Sequence, residues 1–261
     1  MPISTHQKRK AFAKLHESGC FVLPNPWDLG SLRRLEKLGF PAVATTSAGF
    51  AWSRGKEDYG VTLDDLLAHL RELCPATDLP VNADFENGFA DEPREVARNV
   101  ESAALEGVAG LSIEDWGRDG QYDLRLAAER IRAAKAALTR GGDYRDVILV
   151  GRCEAMLHGE TRIEPVLERL TAYAAAGADC LYAPGVRDPD HIRAIVGAVA
   201  PKPVNVLLIS PELSVRTLAA LGVRRVSVGS RLAAVAWKAF DDAARQLADE
   251  GRLPASAYGR G

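Results

Sequence analysis

The sequence predicts an α/β chain folded as a (β/α)8 TIM barrel, and three observations carry that expectation. Short β-rich apolar runs alternate with helical segments of roughly ten to twenty residues, the pattern of a parallel sheet whose crossovers are helices. Eight runs and eight helical segments can be counted, the number that closes such a barrel. Several helical segments end in glycine just before the next run, as at Leu38-Gly39, Ala176-Gly177 and Leu221-Gly222, where glycine supplies the left-handed cap. The 261 residues are therefore taken as one barrel domain, 1–261, a length that such barrels routinely fill.

In chain order, the expected strands are Cys20–Leu23, Ala42–Thr46, Val81–Asp84, Gly110–Glu114, Val147–Cys153, Cys180–Ala183, Val204–Leu208 and Arg225–Val228. Each is a short apolar run bounded by turn or polar residues. The expected helices are Trp27–Leu38, Leu63–Cys74, Pro93–Glu106, Leu124–Thr139, Ile163–Ala176, Asp188–Val199, Ser210–Leu221 and Ser230–Asp249. These segments share period and caps but little sequence, so the repeat belongs to the barrel and not to a solenoid.

Composition narrows the class of partner. The hydrophobic fraction is 47% and the formal net charge only −2, so a sizeable core is available and no charge excess recruits nucleic acid or an anionic membrane. No long uncharged apolar stretch is present, and Met1 to Cys20 is polar and of mixed charge; a cytoplasmic protein with a small soluble partner is expected. Cys20, Cys74, Cys153 and Cys180 are widely spaced, favouring reduced, buried thiols over a disulfide frame or a zinc site.

In such a barrel the reactive groups come from the carboxyl ends of the strands. Those ends offer Asn25 and Asp28; Thr45 to Gly49; Asn82, Asp84 and Glu86; Glu114 and Asp115; Arg152 and Glu154; Tyr182; Asn205; and Ser227, Gly229 and Ser230. A lone acid at a strand end is usually a cap or a solvated loop residue. Six acids and an arginine on one rim call for another explanation. Carboxylates and an amide are hard oxygen donors suited to magnesium, or manganese in its place, and a cation would offset their mutual repulsion. Asp84 and Glu114 are the first candidates as ligands, with Asn82 beside them; the competing arrangement pairs Glu114 with Arg152 across the barrel. Thr46-Ser47-Ala48-Gly49 is small enough for backbone N–H groups to approach an anion, and Arg152 adds a planar fork for a carboxylate. The same four residues also suit an ordinary tight turn.

Together these segments resemble the isocitrate lyase and phosphoenolpyruvate mutase superfamily over essentially the whole chain. Pro24-Asn25-Pro26-Trp27-Asp28 resembles the family's opening strand end, and Thr46 to Gly49 its substrate-carboxylate loop. Gly55 to Asp58 resembles the end of a loop that brings a further acid, here Asp58, toward the metal. Asn82-Ala83-Asp84 with Gly88-Phe89 is similar to the Asp-Ala-Asp-x-Gly-Tyr-Gly motif, Ile113-Glu114-Asp115 to the next metal-site segment, and Gly151 to Ala155 to the Ala-Arg-Thr-Asp-Ala strand end whose arginine binds substrate.

The resemblance implies a magnesium-dependent enzyme that stabilises an enolate of pyruvate or a close 2-oxo acid. Arg152, Asp58 and Glu114 are then the catalytic set. Substrate contacts fall on Thr46, Ser47, Ala48, Gly49, Arg152 and Asn205, and metal contacts on Asp84, Glu114, Asn82 and Asp58. It also implies a homo-oligomer, dimer or tetramer, whose last helix crosses to a neighbour; the Ala-rich Leu232–Phe240 stretch has the apolar content for that, as would a helix docked on its own barrel.

Three departures shape the expected chemistry. The segment Trp116 to Leu124 lacks the Lys-Lys-Cys-Gly-His-like motif of the family's C–C lyases, Asn82 stands where an aspartate is usual, and Glu154 replaces another. Isocitrate and methylisocitrate cleavage are thereby disfavoured. Decarboxylation of the oxaloacetate type is the first expectation, phosphonopyruvate/phosphoenolpyruvate mutase chemistry the second, and an inactive carboxylate-binding barrel the third. Phe50, Trp52 and Trp116 either make the pocket mouth apolar or pack loops together.

Overall fold

In the computed structural model, residues 3–140, 142 and 144–258 are described; the ends of the expected 1–261 domain, residues 1–2 and 259–261, lie outside them. The chain runs α1 (Thr5–Leu15), β1 (Phe21–Leu23), α2 (Leu29–Lys37), β2 (Val43–Ala44), α3 (Ser47–Ser53), α4 (Leu63–Leu73), β3 (Val81–Asp84), α5 (Pro93–Leu105), β4 (Gly110–Glu114), β5 (Trp116–Gly117), β6 (Gly120–Gln121) and α6 (Leu124–Arg140). It continues through β7 (Ile148–Arg152), α7 (Glu164–Ala176), β8 (Cys180–Tyr182), α8 (Pro189–Val199), β9 (Val204–Leu207), α9 (Val215–Ala220), β10 (Arg225–Ser227) and α10 (Arg231–Glu250).

All eight expected strands form, in one parallel sheet of order β1-β10-β9-β8-β7-β4-β3-β2. Its two edges meet where the Ala44 N–H donates to the Pro24 carbonyl at 3.0 Å, so the sheet curls into a nearly closed barrel. The largest core cluster packs the outer faces of the strands against the helices, with Leu70, Val96, Leu111, Leu149 and Leu170 fully buried. Register is continuous from β3 through β4 to β7, with Glu114 beside Arg152.

Some elements differ from expectation. The helix expected over Ser210–Leu221 forms only over Val215–Ala220, because Ser214 caps it by accepting the Thr217 N–H at 3.1 Å. The polar amino-terminal stretch forms a helix, and two of its cations, Lys8 and Arg9, are buried at the amino-terminal end of the barrel. Lys8 Nζ donates to the carbonyls of Cys74 (2.8 Å) and Thr77, and Arg9 to those of Val108 (3.0 Å) and Ala104 (2.6 Å), while Phe12 is fully buried. Cys20, Cys74, Cys153 and Cys180 are free thiols. Among the described residues no helix is long and apolar enough to cross a membrane.

Burial also sets an acid limit. His69 stacks on Phe50 with ring centroids 4.0 Å apart, and burial lowers its pKa from 6.5 to about 4. Above pH 6.5 the ring is neutral whether the chain is folded or not; below it the unfolded chain takes up the proton first, so stability falls as pH drops toward 4. His16, lowered to about 3 chiefly by burial, acts in the same direction. Urea melts at pH 7 and pH 5 should show the loss, on the order of 2 kcal/mol from His69 alone. His69→Phe, which keeps a ring against Phe50, should flatten the slope.

Candidate active site

After β2 the chain turns through Thr45 into Thr46, whose hydroxyl accepts the Gly49 N–H at 3.3 Å and starts α3. Thr45 to Gly49 is thus the entry of a helix. The turn also aims Asp84 from β3: its own N–H donates to the Thr45 hydroxyl at 2.9 Å, and its Oδ2 accepts the Ser47 N–H at 2.9 Å. Thr46, Ser47, Ala48, Asp58, Asp84 and Arg152 line one cavity of about 180 Å³, below the roughly 300 Å³ at which drug-sized pockets begin. Gly49 lies behind that lining. A Cβ there would come within 2.7 Å of Thr46 Cγ2, 3.1 Å of Trp27 Cβ and 3.2 Å of Ala233 Cβ, so its small size serves helix packing.

Arg152 at the end of β7 is the hub. Its Nη1 sits 3.1 Å from Asp84 Oδ1 and 3.2 Å from Glu114 Oε2, while Nη2 and Nε grip Glu154, the former at 2.9 Å. The Glu114–Arg152 ion pair therefore exists, and Glu114 remains on the site. Its other oxygen accepts the Tyr59 hydroxyl at 2.6 Å. Tyr59 follows Asp58 in the α3–α4 connection with a left-handed φ of 62°, a conformation that costs a non-glycine residue energy and is common at functional sites.

Five carboxylates, Asp58, Asp84, Glu86, Glu114 and Glu154, face this one guanidinium. Burial holds Glu114 well above the usual carboxylate range, with repulsion from Glu154 and Asp84 adding to it and Arg152 opposing. Burial and Asp84 raise Asp58, and burial, Asp84 and Asp58 push Glu86 up to about 8. Around Arg152 the acids outnumber the positive charge.

The structure redistributes several expected residues. Asn82 lines the cavity, but its carbonyl oxygen accepts from Arg225 Nη1 at 3.3 Å and its amide donates to the Ala83 carbonyl at 3.1 Å. Asn205 is not on the lining; its carbonyl oxygen accepts from Arg225 Nε at 2.9 Å and its amide donates to the Ser227 hydroxyl at 3.0 Å. Asp28 caps α2 through the Ser31 N–H at 2.6 Å. Asp115 faces away, accepting from the Glu154 N–H (2.8 Å), Tyr173 (2.6 Å) and Arg169 (3.1 Å). Phe50 is packing, stacked on His69.

Glu86 is the acid that sequence reasoning undervalued. It has a left-handed φ of 43° and a buried Oε1 with no hydrogen-bond partner. A signal was available: Asp84-Phe85-Glu86-Asn87-Gly88-Phe89 matches the acid-x-acid-x-Gly-aromatic spacing of the family motif without a gap, two residues later than the Asn82 alignment. Gly88 supports that register with φ +80° and Val96 packed against it.

Beyond β4 the chain makes a tight hairpin, β5 against β6. Trp116 stacks face to face on His158 at 3.4 Å, and Tyr59, Glu86, Trp116 and Arg118 line a second, adjoining cavity. Among the described residues no three acidic, histidine or cysteine side chains form a ready-made metal cage. Asp58 and Asp84 line the small cavity, Glu86 lines the adjoining one, and Glu114 meets the site through Arg152 and Tyr59; so open a donor set fits an ion that keeps several waters, as magnesium does. The orphaned Glu86 oxygen and the carboxylate excess fit such an ion as well.

A parallel barrel with these acids and Arg152 at its carboxyl ends is the arrangement expected of the phosphoenolpyruvate mutase/isocitrate lyase superfamily, to which the family match and the structural neighbours assign the chain. Within it, the chain belongs to the phosphoenolpyruvate phosphomutase family, whose family model matches residues 12–248. The chain is 32% identical over 258 residues to an oxaloacetate decarboxylase of Chromohalobacter salexigens, covering 94% of this chain and 87% of that one. A candidate lyase/mutase of Burkholderia cenocepacia superposes with a TM-score of 0.93 at 43% identity, covering 98% and 93% of the two chains. Oxaloacetate acetylhydrolase in complex with oxalate superposes with a TM-score of 0.87 at 29% identity, covering 97% and 91%.

Proposed function

We propose that this chain is a divalent-metal-dependent lyase of a small 2-oxo carboxylic acid, acting through an enolate of the pyruvate type in the manner of an oxaloacetate decarboxylase. One observation carries the reading: Arg152 stands between Asp84 and Glu114 on a cavity sized for a small acid, among more carboxylates than it can neutralise. Asp84, Glu86, Glu114 and Asp58 would hold magnesium, or manganese in its place; Asn82 is left to Arg225. A bound divalent ion supplies positive charge where the 2-oxo oxygen becomes negative.

The chain's own residues do the rest. Thr46, Ser47 and Ala48 flank the acid, and Arg152, held in plane by Glu154, would set its positive charge beside the oxygen that gains charge. The C3–C4 bond breaks, its electron pair enters the C2–C3 bond while the C2–O π pair moves onto the oxygen, and carbon dioxide leaves; the oxygen pair then re-forms the carbonyl as C3 takes a proton from water. Tyr59 and Trp116 line the adjoining cavity, where they would limit water on that side of the site. Phosphonopyruvate/phosphoenolpyruvate mutase chemistry is the second reading, supported by Arg118 on the adjoining cavity.

The enzyme would act in the cytoplasm as a homo-oligomer. Of the twenty residues of α10 only Ala233 is buried, whereas Leu232, Val235, Trp237, Phe240 and Leu247 are exposed. An apolar stripe of that kind fits a neighbouring subunit. Phe240→Asp should shift the particle toward monomer in light scattering.

Oxalate imitates the pyruvate enolate, so oxalate with magnesium should raise the melting temperature. No shift with both present, together with no turnover of oxaloacetate or phosphonopyruvate, would contradict the enzyme reading, whereas a shift without turnover would favour an inactive carboxylate-binding barrel.

A further inference from the structure

One layer below the acids lies a second arginine that the proposed reaction does not use. Arg225 opens β10 and points into the barrel beneath Ser227, which faces the same way two residues on. It is 2% exposed. Its partners are neutral: Asn205 Oδ1 at 2.9 Å and Asn82 Oδ1 at 3.3 Å. Among the described residues no carboxylate pairs with it, whereas Arg152 on the same cavity has three.

A guanidinium stays charged, and a buried charge without a counter-ion is costly. A carboxylate at position 82 would face that cation directly; the chain places an amide there instead. The cost is therefore retained at a defined place. Arg225 lines the cavity that also holds Ser47, Asp84 and Arg152, and between them stand Thr45, Ser112, Tyr182 and Ser227, all bearing hydroxyls. A small anion entering this cavity meets polar walls and a bare positive charge at the inner end.

We infer that Arg225 is the inner anion subsite of the pocket, the counter-charge for the carboxylate that a 2-oxo acid substrate keeps through the reaction. The inference rests on the 2-oxo acid reading above. Chemistry selects which carboxylate it holds. A cation gripping the group that departs as carbon dioxide would stabilise the starting state more than the transition state, in which that charge leaves. The retained carboxylate suffers no such penalty. The substrate then enters carboxylate first, with its 2-oxo group level with Asp84 and Arg152 and the bond to be broken nearest the mouth.

Calorimetric titration of oxalate into magnesium-saturated protein tests this with two variants. Arg225→Gln removes the charge; Asn82→Asp leaves the arginine but supplies a competing carboxylate. Both should weaken oxalate binding about 10- to 100-fold. Asn82→Asp should melt no lower than wild type, which separates lost binding from lost folding, and magnesium affinity measured without oxalate should stay within about twofold in each. Oxalate affinity unchanged in Asn82→Asp would overturn the subsite, as would a fall in magnesium affinity equal to the fall for oxalate. Wild-type protein that binds no oxalate would instead overturn the 2-oxo acid reading, and the inference with it.

Discussion

Arg152→Lys is expected to lower kcat/KM by about three orders of magnitude, a loss typical of removing a preorganised donor from a site where charge develops. Lysine keeps the charge but not the fork. The native guanidinium spends two nitrogens on Glu154 and aims the third at Asp84 and Glu114, 3.1 and 3.2 Å away. A point charge on a flexible stem cannot hold all three acids in that plane. Lysine is a cleaner probe than alanine, because removing one partner of a buried ion pair costs about 3–5 kcal/mol and would mix misfolding with lost catalysis. Steady-state kinetics with a parallel melt checks the expectation: kcat should carry most of the fall, and the melting temperature should drop far less than in Arg152→Ala.

Asp84→Ala is expected to abolish both turnover and the oxalate-with-magnesium stabilisation. Asp84 is pinned from both sides, its backbone by Thr45 and its Oδ2 by the Ser47 N–H, so the carboxylate is preorganised. Its remaining oxygen meets Arg152. Loss of at least about a thousandfold in kcat/KM is the scale for a group on which both ion and substrate depend. Asp84→Asn adds a second comparison. It preserves an acceptor for Ser47 while deleting the charge, so a thermal shift that survives in Asn but not in Ala would mean that shape, not charge, had held the ligand.

Much of the barrel was legible because short apolar runs between polar boundaries are what buried parallel strands look like in sequence. Val81–Asp84 and Gly110–Glu114 form with the bounds expected of them. The helix at Ser47–Ser53 was hidden, since its small residues at a strand end look like a turn, and only the Thr46 cap and its contact with Asp84 show otherwise. Alternation correctly put Asn82 and Asp84 on one face, but period two says nothing about depth. Asn82 lies one layer further in, and the arginine that engages it stands 143 residues away in sequence. Glu86, counted among the strand-end acids, was given no role for a related reason: its backbone leaves the strand in a left-handed turn, so the alternating pattern no longer says where the side chain points. The Arg152–Glu114 pair and the candidate ion were competing explanations of the same acids, and the geometry gives Glu114 a role compatible with both.

The most direct test is pyruvate release from oxaloacetate by the purified protein with magnesium, measured above the protein-free rate and repeated after chelation. Magnesium-dependent release that chelator abolishes and Arg152→Lys nearly eliminates is the predicted result. Release that persists at full rate after chelation, or that is indifferent to Arg152, would contradict a metal-and-arginine lyase site.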